Sequence, residues 1–166
     1  LVEKYFGKMA PFGTKKFENI IESQEEARVF VKHKNTEQVH LALGVPTVPL
    51  NHPHRYPLMI LSSILGGGMS SRLFHEIREK RGLGYYVRSS SDHYADCGNF
   101  TTTAGIDPKR LQEAVKVIIE EYQKVQSSSR QRRGRIQSSE FKKAKEYIKG
   151  HFVLEQRWIA PSFMTG

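Results

Sequence analysis

Cysteine is all but missing from this 166-residue chain: Cys97 stands alone. No intrachain disulfide can staple it, so its stability has to come from a packed core. Cys97 lies near the start of a strand-like segment, where a small residue is expected to be buried rather than reactive. Long apolar runs are missing too. Nothing approaches the ~20 consecutive apolar residues that cross a bilayer, and no secretory leader is recognisable at the start. An internal fragment would show no leader either, so the compartment of a parent protein is undetermined; a soluble, cytoplasmic setting is the default expectation, with no membrane partner. Acidic residues are the minority charge, 17 against 26 Lys and Arg, giving a net charge of +9. Much of that excess is local. Arg130, Arg132, Arg133 and Arg135 crowd a Ser-, Gln- and Gly-containing stretch with no interleaved aromatics and no recognisable nucleic-acid module. A solvated basic insertion is the expectation, and a nucleic-acid-binding module the lesser alternative. With 38% hydrophobic and 10% aromatic residues, a mostly disordered chain is excluded.

What is present concentrates between Leu65 and Tyr86, LGGGMSSRLFHEIREKRGLGYY. Gly66, Gly67 and Gly68 allow positive φ and close backbone approach, suiting the end of one helix and a change of direction. Ser70 or Ser71 is placed to cap the next helix, on which Leu73, Phe74 and Ile77 share a face. Arg78 falls near its last turn and Gly82 marks the stop. Tyr85 follows Arg78 by seven residues, at the start of an extended segment. A folded domain can bring that guanidinium and that phenol over one groove.

The rest of the chain alternates strand and helix patterns. Ala27 to Lys32 and Val39 to Val45 read as an antiparallel pair turning at Asn35-Thr36. Pro53 suits a first helical turn, after which Tyr56, Met59, Ile60, Ser63 and Ile64 keep helical spacing. Gly84 to Ser91 and Asn99 to Ile106 form a second strand pair joined by Asp92 to Gly98. Asp107-Pro108 is an N-cap with proline at the first helical position, opening a helix with Leu111, Val115, Ile118, Ile119 and Tyr122 inward. A last helix runs from about Ser139, with Phe141, Ala144, Ile148 and Phe152 inward. The expected fold class is therefore α+β, a mainly antiparallel sheet with helices packed on one face.

The glycine-rich segment resembles the insulinase/pitrilysin family of zinc peptidases, which includes the mitochondrial processing peptidase. The pattern is Gly-Gly-Gly-Met-Ser-Ser-Arg-Leu-Phe, then Ile-Arg-Glu-Lys-Arg-Gly-Leu-Gly-Tyr. It continues through Thr36-Glu37-Gln38-Val39-His40-Leu41, Asp96-Cys97-Gly98-Asn99-Phe100, Ala104-Gly105 and Phe141 to Gly150. GGG alone is unspecific; the ordered series is not. It covers Leu1 to Leu154. The resemblance implies the following division: 1–10 as the closing helix of a preceding lobe, 11–24 as a linker, 25–155 as a truncated second-lobe α+β domain, and 156–166 as a divergent tail. Arg157-Trp158-Ile159-Ala160-Pro161 is expected to break the helical pattern where the family continues with another helix and closing strands.

Peptide-cleaving members hold zinc with H-x-x-E-H plus a distant glutamate. Here the histidines at 33, 40, 52, 54, 75, 93 and 151 are followed at the third position by Thr36, Leu43, Arg55, Pro57, Arg78, Asp96 and Leu154, so the motif is absent. His75-Glu76-Ile77-Arg78-Glu79 lacks the second histidine of the other zinc pattern, and His52-Pro53-His54 reads as two solvated imidazoles. Catalytic zinc needs three protein ligands, an open position and a base. No metal site is expected in this chain; the resemblance places zinc in a missing first lobe, its partner. The chain is then the substrate-binding second lobe of a zinc metalloendopeptidase that cleaves peptides or unfolded polypeptides, inactive alone. In that family the counterparts of Arg78 and Tyr85 reach substrate and transition state. Arg78 would clamp a carbonyl or carboxylate. Tyr85 would donate toward the oxygen gaining charge. The plainer alternative is a helix-terminal cation and a strand aromatic, with Arg72, Glu76, Glu79, Lys80 and Tyr86 as packing, capping or solvated charges. A second possibility is a non-catalytic partner subunit, in a homo- or heterodimer, guiding substrate with Gly66, Gly67 and Gly68.

Overall fold

The computed structural model describes residues 2–9, 18, 24–126 and 135–159. Most of the linker, Arg130, Arg132 and Arg133 of the basic stretch, and the tail from residue 160 onward lie outside the described residues. The element order is helix α1 (Val2–Phe6), strand β1 (Val39–Thr47), helix α2 (Arg55–Gly66), a π-helical segment (Phe74–Glu79), strands β2 (Gly84–His93) and β3 (Gly98–Ile106), a 3-10 turn (Pro108–Arg110), and helices α3 (Leu111–Gln126) and α4 (Ser138–Ile159). Strand β3 is central, antiparallel to both neighbours in the order β1-β3-β2. The fold is the α+β arrangement that the alternating pattern predicts.

Alternation divides the sheet into two faces. Phe100, Ala104 and Ile106 of β3, Val87 of β2, and Leu41 and Leu43 of β1 point into the core. They meet Leu58, Leu61 and Leu65 of α2, Leu73 and Ile77 of the next turn, and Ala114, Val117 and Ile118 of α3. The opposite face carries His40, Ala42, Thr101, Thr103, Gly105, Tyr86 and Arg88. Inside the core, the Ser89 and Thr102 hydroxyls lie 2.6 Å apart and Thr102 meets the Tyr122 hydroxyl, a chain tying both strands to α3. Polar atoms at that depth are tolerated because they are paired. Burial pushes the Tyr122 phenol up, with the Thr102 bond opposing it.

Several local expectations are corrected. Ala27 to Lys32 forms no strand: Phe30 is 90% exposed, with Val29 and Val31 nearly as open, and β1 pairs with β3 instead. Its alternation supplies strand propensity, but a strand needs an edge to bond to. Pro53 sits ahead of α2, which starts at Arg55. Tyr56 faces outward because the Arg55 guanidinium binds its hydroxyl at 2.6 Å and lies over its ring. On α3, Ile118 is buried as expected and Leu111 and Tyr122 pack against the core, but Ala114, Val117 and Glu121 join the buried stripe and Ile119 is turned out. Glu121 is tolerated there because Lys124 reaches it at 2.5 Å. On α4, Ala144 is buried but Phe141 and Phe152 are exposed. Helix α4 also runs on to Ile159, past the expected break at Arg157.

Candidate functional site

Arg78 and Tyr85 each occupy a place where regular backbone gains a residue. The turn bearing Arg78 is π-helical, with the Lys80 amide bonding the His75 carbonyl at 2.9 Å, five residues back. Such segments are rare and concentrate at functional sites. Arg78 is exposed, and its guanidinium lies 5.1 Å from the Phe74 ring centroid. Gly82 then stops the helix with φ of 55°, a conformation that favours glycine. The Leu83 amide donates back to Ile77 at 2.8 Å, and the Asp107 amide donates to Leu83 at 3.1 Å.

The second irregularity follows at once. Gly84 pairs with Ile106 and Tyr86 with Gly105, so Tyr85 is the extra residue of a β-bulge. Bulges re-aim side chains, often beside active sites. Tyr85 is 69% exposed, and among the described residues its hydroxyl has no hydrogen-bond partner. No hydrogen bond or ring contact joins Arg78 to Tyr85; what they share is exposure at the two ends of one rigid turn.

The glycines do less conformational work than expected. Gly67 has φ of −78° and ψ of −7°, and among the described residues the glycine with positive φ is Gly82. Gly66 is glycine for packing: a Cβ there would lie 2.2 Å from the Ser89 amide nitrogen, where α2 meets β2. At Gly67 a Cβ would lie 2.6 Å from the Ser63 Cα, whereas at Gly68 it would meet the Tyr147 ring at an ordinary 3.9 Å. The expected serine cap is not made either. The Ser71 amide donates to Gly68 and its carbonyl accepts from His75, but among the described residues its buried hydroxyl has no partner.

Sequence reasoning undervalued three side chains. Arg72 is no solvated charge: its Nε and Nη2 hold both carboxylate oxygens of Glu140, at 2.6 and 2.8 Å, fastening the glycine loop to α4. Burial would raise the Glu140 carboxyl, but the Arg72 hydrogen bonds hold it below the usual carboxylate range. Tyr86 and His40 also belong to the site region. The Tyr86 ring lies across β3, so that a Cβ on Gly105 would be 2.6 Å from it, and its hydroxyl meets His40 Nδ1 at 3.1 Å. Two adjacent tyrosines opposite an Ala-Gly pair were the available signal; which tyrosine lay across the sheet depended on an unseen bulge.

Two of the histidines are held by other groups. His93 uses one ring nitrogen on Ser91 and the other on the Val48 carbonyl, at 3.0 and 2.7 Å. His52 Nδ1 accepts the His54 amide. Among the described residues no group of three His, Cys, Asp or Glu side chains is placed to hold a metal ion.

A family model described as the peptidase M16 inactive domain matches residues 1–148. The chain is 35% identical over 153 residues to a Bacillus subtilis (strain 168) protein named as a zinc protease, covering 92% of this chain and 36% of that protein. It is 44% identical over 94 residues to a Streptomyces coelicolor protein also named as a zinc protease, covering 57% of this chain and 20% of that one. Among solved structures, a protease from Helicobacter pylori matches with a TM-score of 0.71 at 24% identity, over 91% of this chain and 36% of that chain. A peptidase M16 inactive domain from Pseudomonas fluorescens matches with a TM-score of 0.62 at 24% identity, over 71% and 27%. These structural likenesses concern the fold. The chain spans between a fifth and about a third of the length of these relatives.

Proposed function

The chain belongs to the peptidase M16 family through its inactive-domain module, and from that premise we propose that it is the substrate-holding lobe of a zinc metalloendopeptidase acting on peptides or unfolded polypeptides. Its partner is a first lobe that carries the zinc. The chain alone is expected to hydrolyse nothing, because its sequence carries no H-x-x-E-H motif. The observation that supports this best is the paired irregularity: a π-helical turn at Arg78 and a β-bulge at Tyr85, both side chains exposed on a backbone that is otherwise tightly bonded.

In this role Arg78 grips a substrate carbonyl or carboxylate through its planar fork of donors. Tyr85 donates its phenolic hydrogen bond to the scissile carbonyl oxygen as that oxygen gains charge. A donor aimed at developing charge acts mainly in the transition state, so it bears on kcat more than on KM. The edge of β2 beside Tyr85, unpaired among the described residues, offers main-chain hydrogen bonds to an extended peptide, a mode of holding that tolerates varied side chains. A substrate-guiding role for Gly66 to Gly68 has less support, because packing accounts for the first two.

Kinetics of the two-lobed parent test this. Tyr85→Phe is expected to lower kcat about a hundredfold, the usual cost of one such donor, with folding and zinc content intact. Arg78→Ala is expected to raise KM as well. Wild-type turnover by folded Tyr85→Phe would return Tyr85 to the standing of a strand aromatic.

A further inference from the structure

We propose that Tyr86 and His40 are positioning residues that fix the direction of the Tyr85 phenol, with Gly105 as their platform. The proposal rests on the role given to Tyr85 above and adds how that side chain is held. A bulged residue has no cross-strand partner, so its orientation is set by the residues on either side of it. On one side is Gly84, packed so tightly that a Cβ would lie 2.4 Å from the Gly105 carbonyl oxygen. On the other is Tyr86, paired with Gly105. Its ring lies on the Gly105 backbone and its hydroxyl bonds to His40 Nδ1 on β1 at 3.1 Å, two strands away.

The Tyr86 side chain therefore spans the sheet on the face away from the core. Its two ring centroids with His40 lie 6.2 Å apart, so the bond rather than ring stacking is the main tie. Gly105 is required beneath it, since any side chain there would lift the ring and turn the bulge with it. Thus the backbone of Tyr85 is clamped from Gly84 and from Tyr86, while its own hydroxyl stays open to a ligand. The arrangement preorganises the backbone: the position and direction from which the Tyr85 side chain leaves the strand are set before substrate arrives.

Two readouts test this. In the chain itself, NMR of ring-labelled tyrosines should show one well-defined Tyr85 environment; Tyr86→Phe and His40→Ala should shift or broaden it, while His40→Asn, whose amide can occupy the Nδ1 position, should restore it. Unchanged Tyr85 resonances in folded Tyr86→Phe would overturn the proposal without any activity measurement. In the two-lobed parent with a quenched fluorescent peptide, Tyr86→Phe should lower kcat roughly tenfold, as expected for losing about one hydrogen bond, with KM little changed. In a Tyr85→Phe background the same change should cost nothing further, because it acts through Tyr85. Additive losses, or normal kcat for Tyr86→Phe beside an impaired Tyr85→Phe, would refute positioning and leave the role of Tyr85 standing. Normal kcat for Tyr85→Phe would instead refute that role.

Discussion

Gly66 and Gly68, two positions apart in the sequence, behave very differently as residues. Alanine at Gly66 would force its methyl to 2.2 Å from the Ser89 nitrogen, and backbone cannot yield cheaply there. Overpacking of this kind costs about 1–3 kcal/mol, so Gly66→Ala should lower the urea midpoint clearly. Gly68→Ala, which meets a ring at 3.9 Å, should leave it nearly unchanged. Equal effects would mean that the triplet serves backbone freedom rather than packing. Glu76 makes a second prediction at this scale. Burial alone would raise its carboxyl, but hydrogen bonds from Arg81 and Lys80 outweigh that and hold it at about 2, below the usual 4.5. Because the folded value is the lower one, the stabilisation is complete above about pH 4.5 and is lost as pH falls toward 2. Glu76→Gln should therefore flatten the acid side of the stability profile; an unchanged acid limb would assign it to other carboxylates, Glu140 first.

At the scale of elements, hydrogen exchange separates what pairs from what does not. Amides of β3, bonded on both sides, should be the slowest, while residues 27–32 should exchange close to unfolded rates. Protection across 27–32 would show a fourth strand on the open edge of β1. The two strands flanking residues 94–97 and the Asp107-Pro108 helix start were legible beforehand, since turn chemistry and capping are local: Asp107 does accept the Lys109 amide at 2.9 Å. Ala27 to Lys32 was not, because its pattern says it can be a strand and nothing about whether an edge awaits it. Helix faces were legible only to within one position. Ala114 is buried and Val115 only partly so, and the one-position rotation that decides between them is a tertiary fact. The π-helical turn at Arg78 and the bulge at Tyr85 were invisible for a related reason. Each inserts one residue without any marker beyond its glycines, yet each decides where a candidate site residue points.

At the scale of the whole molecule, the sheet has, among the described residues, one face covered by α2, α3 and the π-helical segment and one face uncovered. Phe141, Tyr147, Phe152, Val153 and Leu154 of α4 are exposed as well. More apolar surface is open than the interior of this chain requires, which agrees with a unit that completes itself against another lobe. The central claim is that this lobe holds substrate for zinc carried elsewhere. Its most direct test is chelator-sensitive cleavage of an unfolded polypeptide, measured for the chain alone with added zinc, for the two-lobed parent, and for the parent carrying Arg78→Ala with Tyr85→Phe. The account predicts no cleavage by the chain alone, cleavage by the parent that a chelator abolishes, and a folded, zinc-loaded double variant that is nearly inactive. Chelator-sensitive turnover by the purified chain alone, or full activity in the double variant, would contradict it.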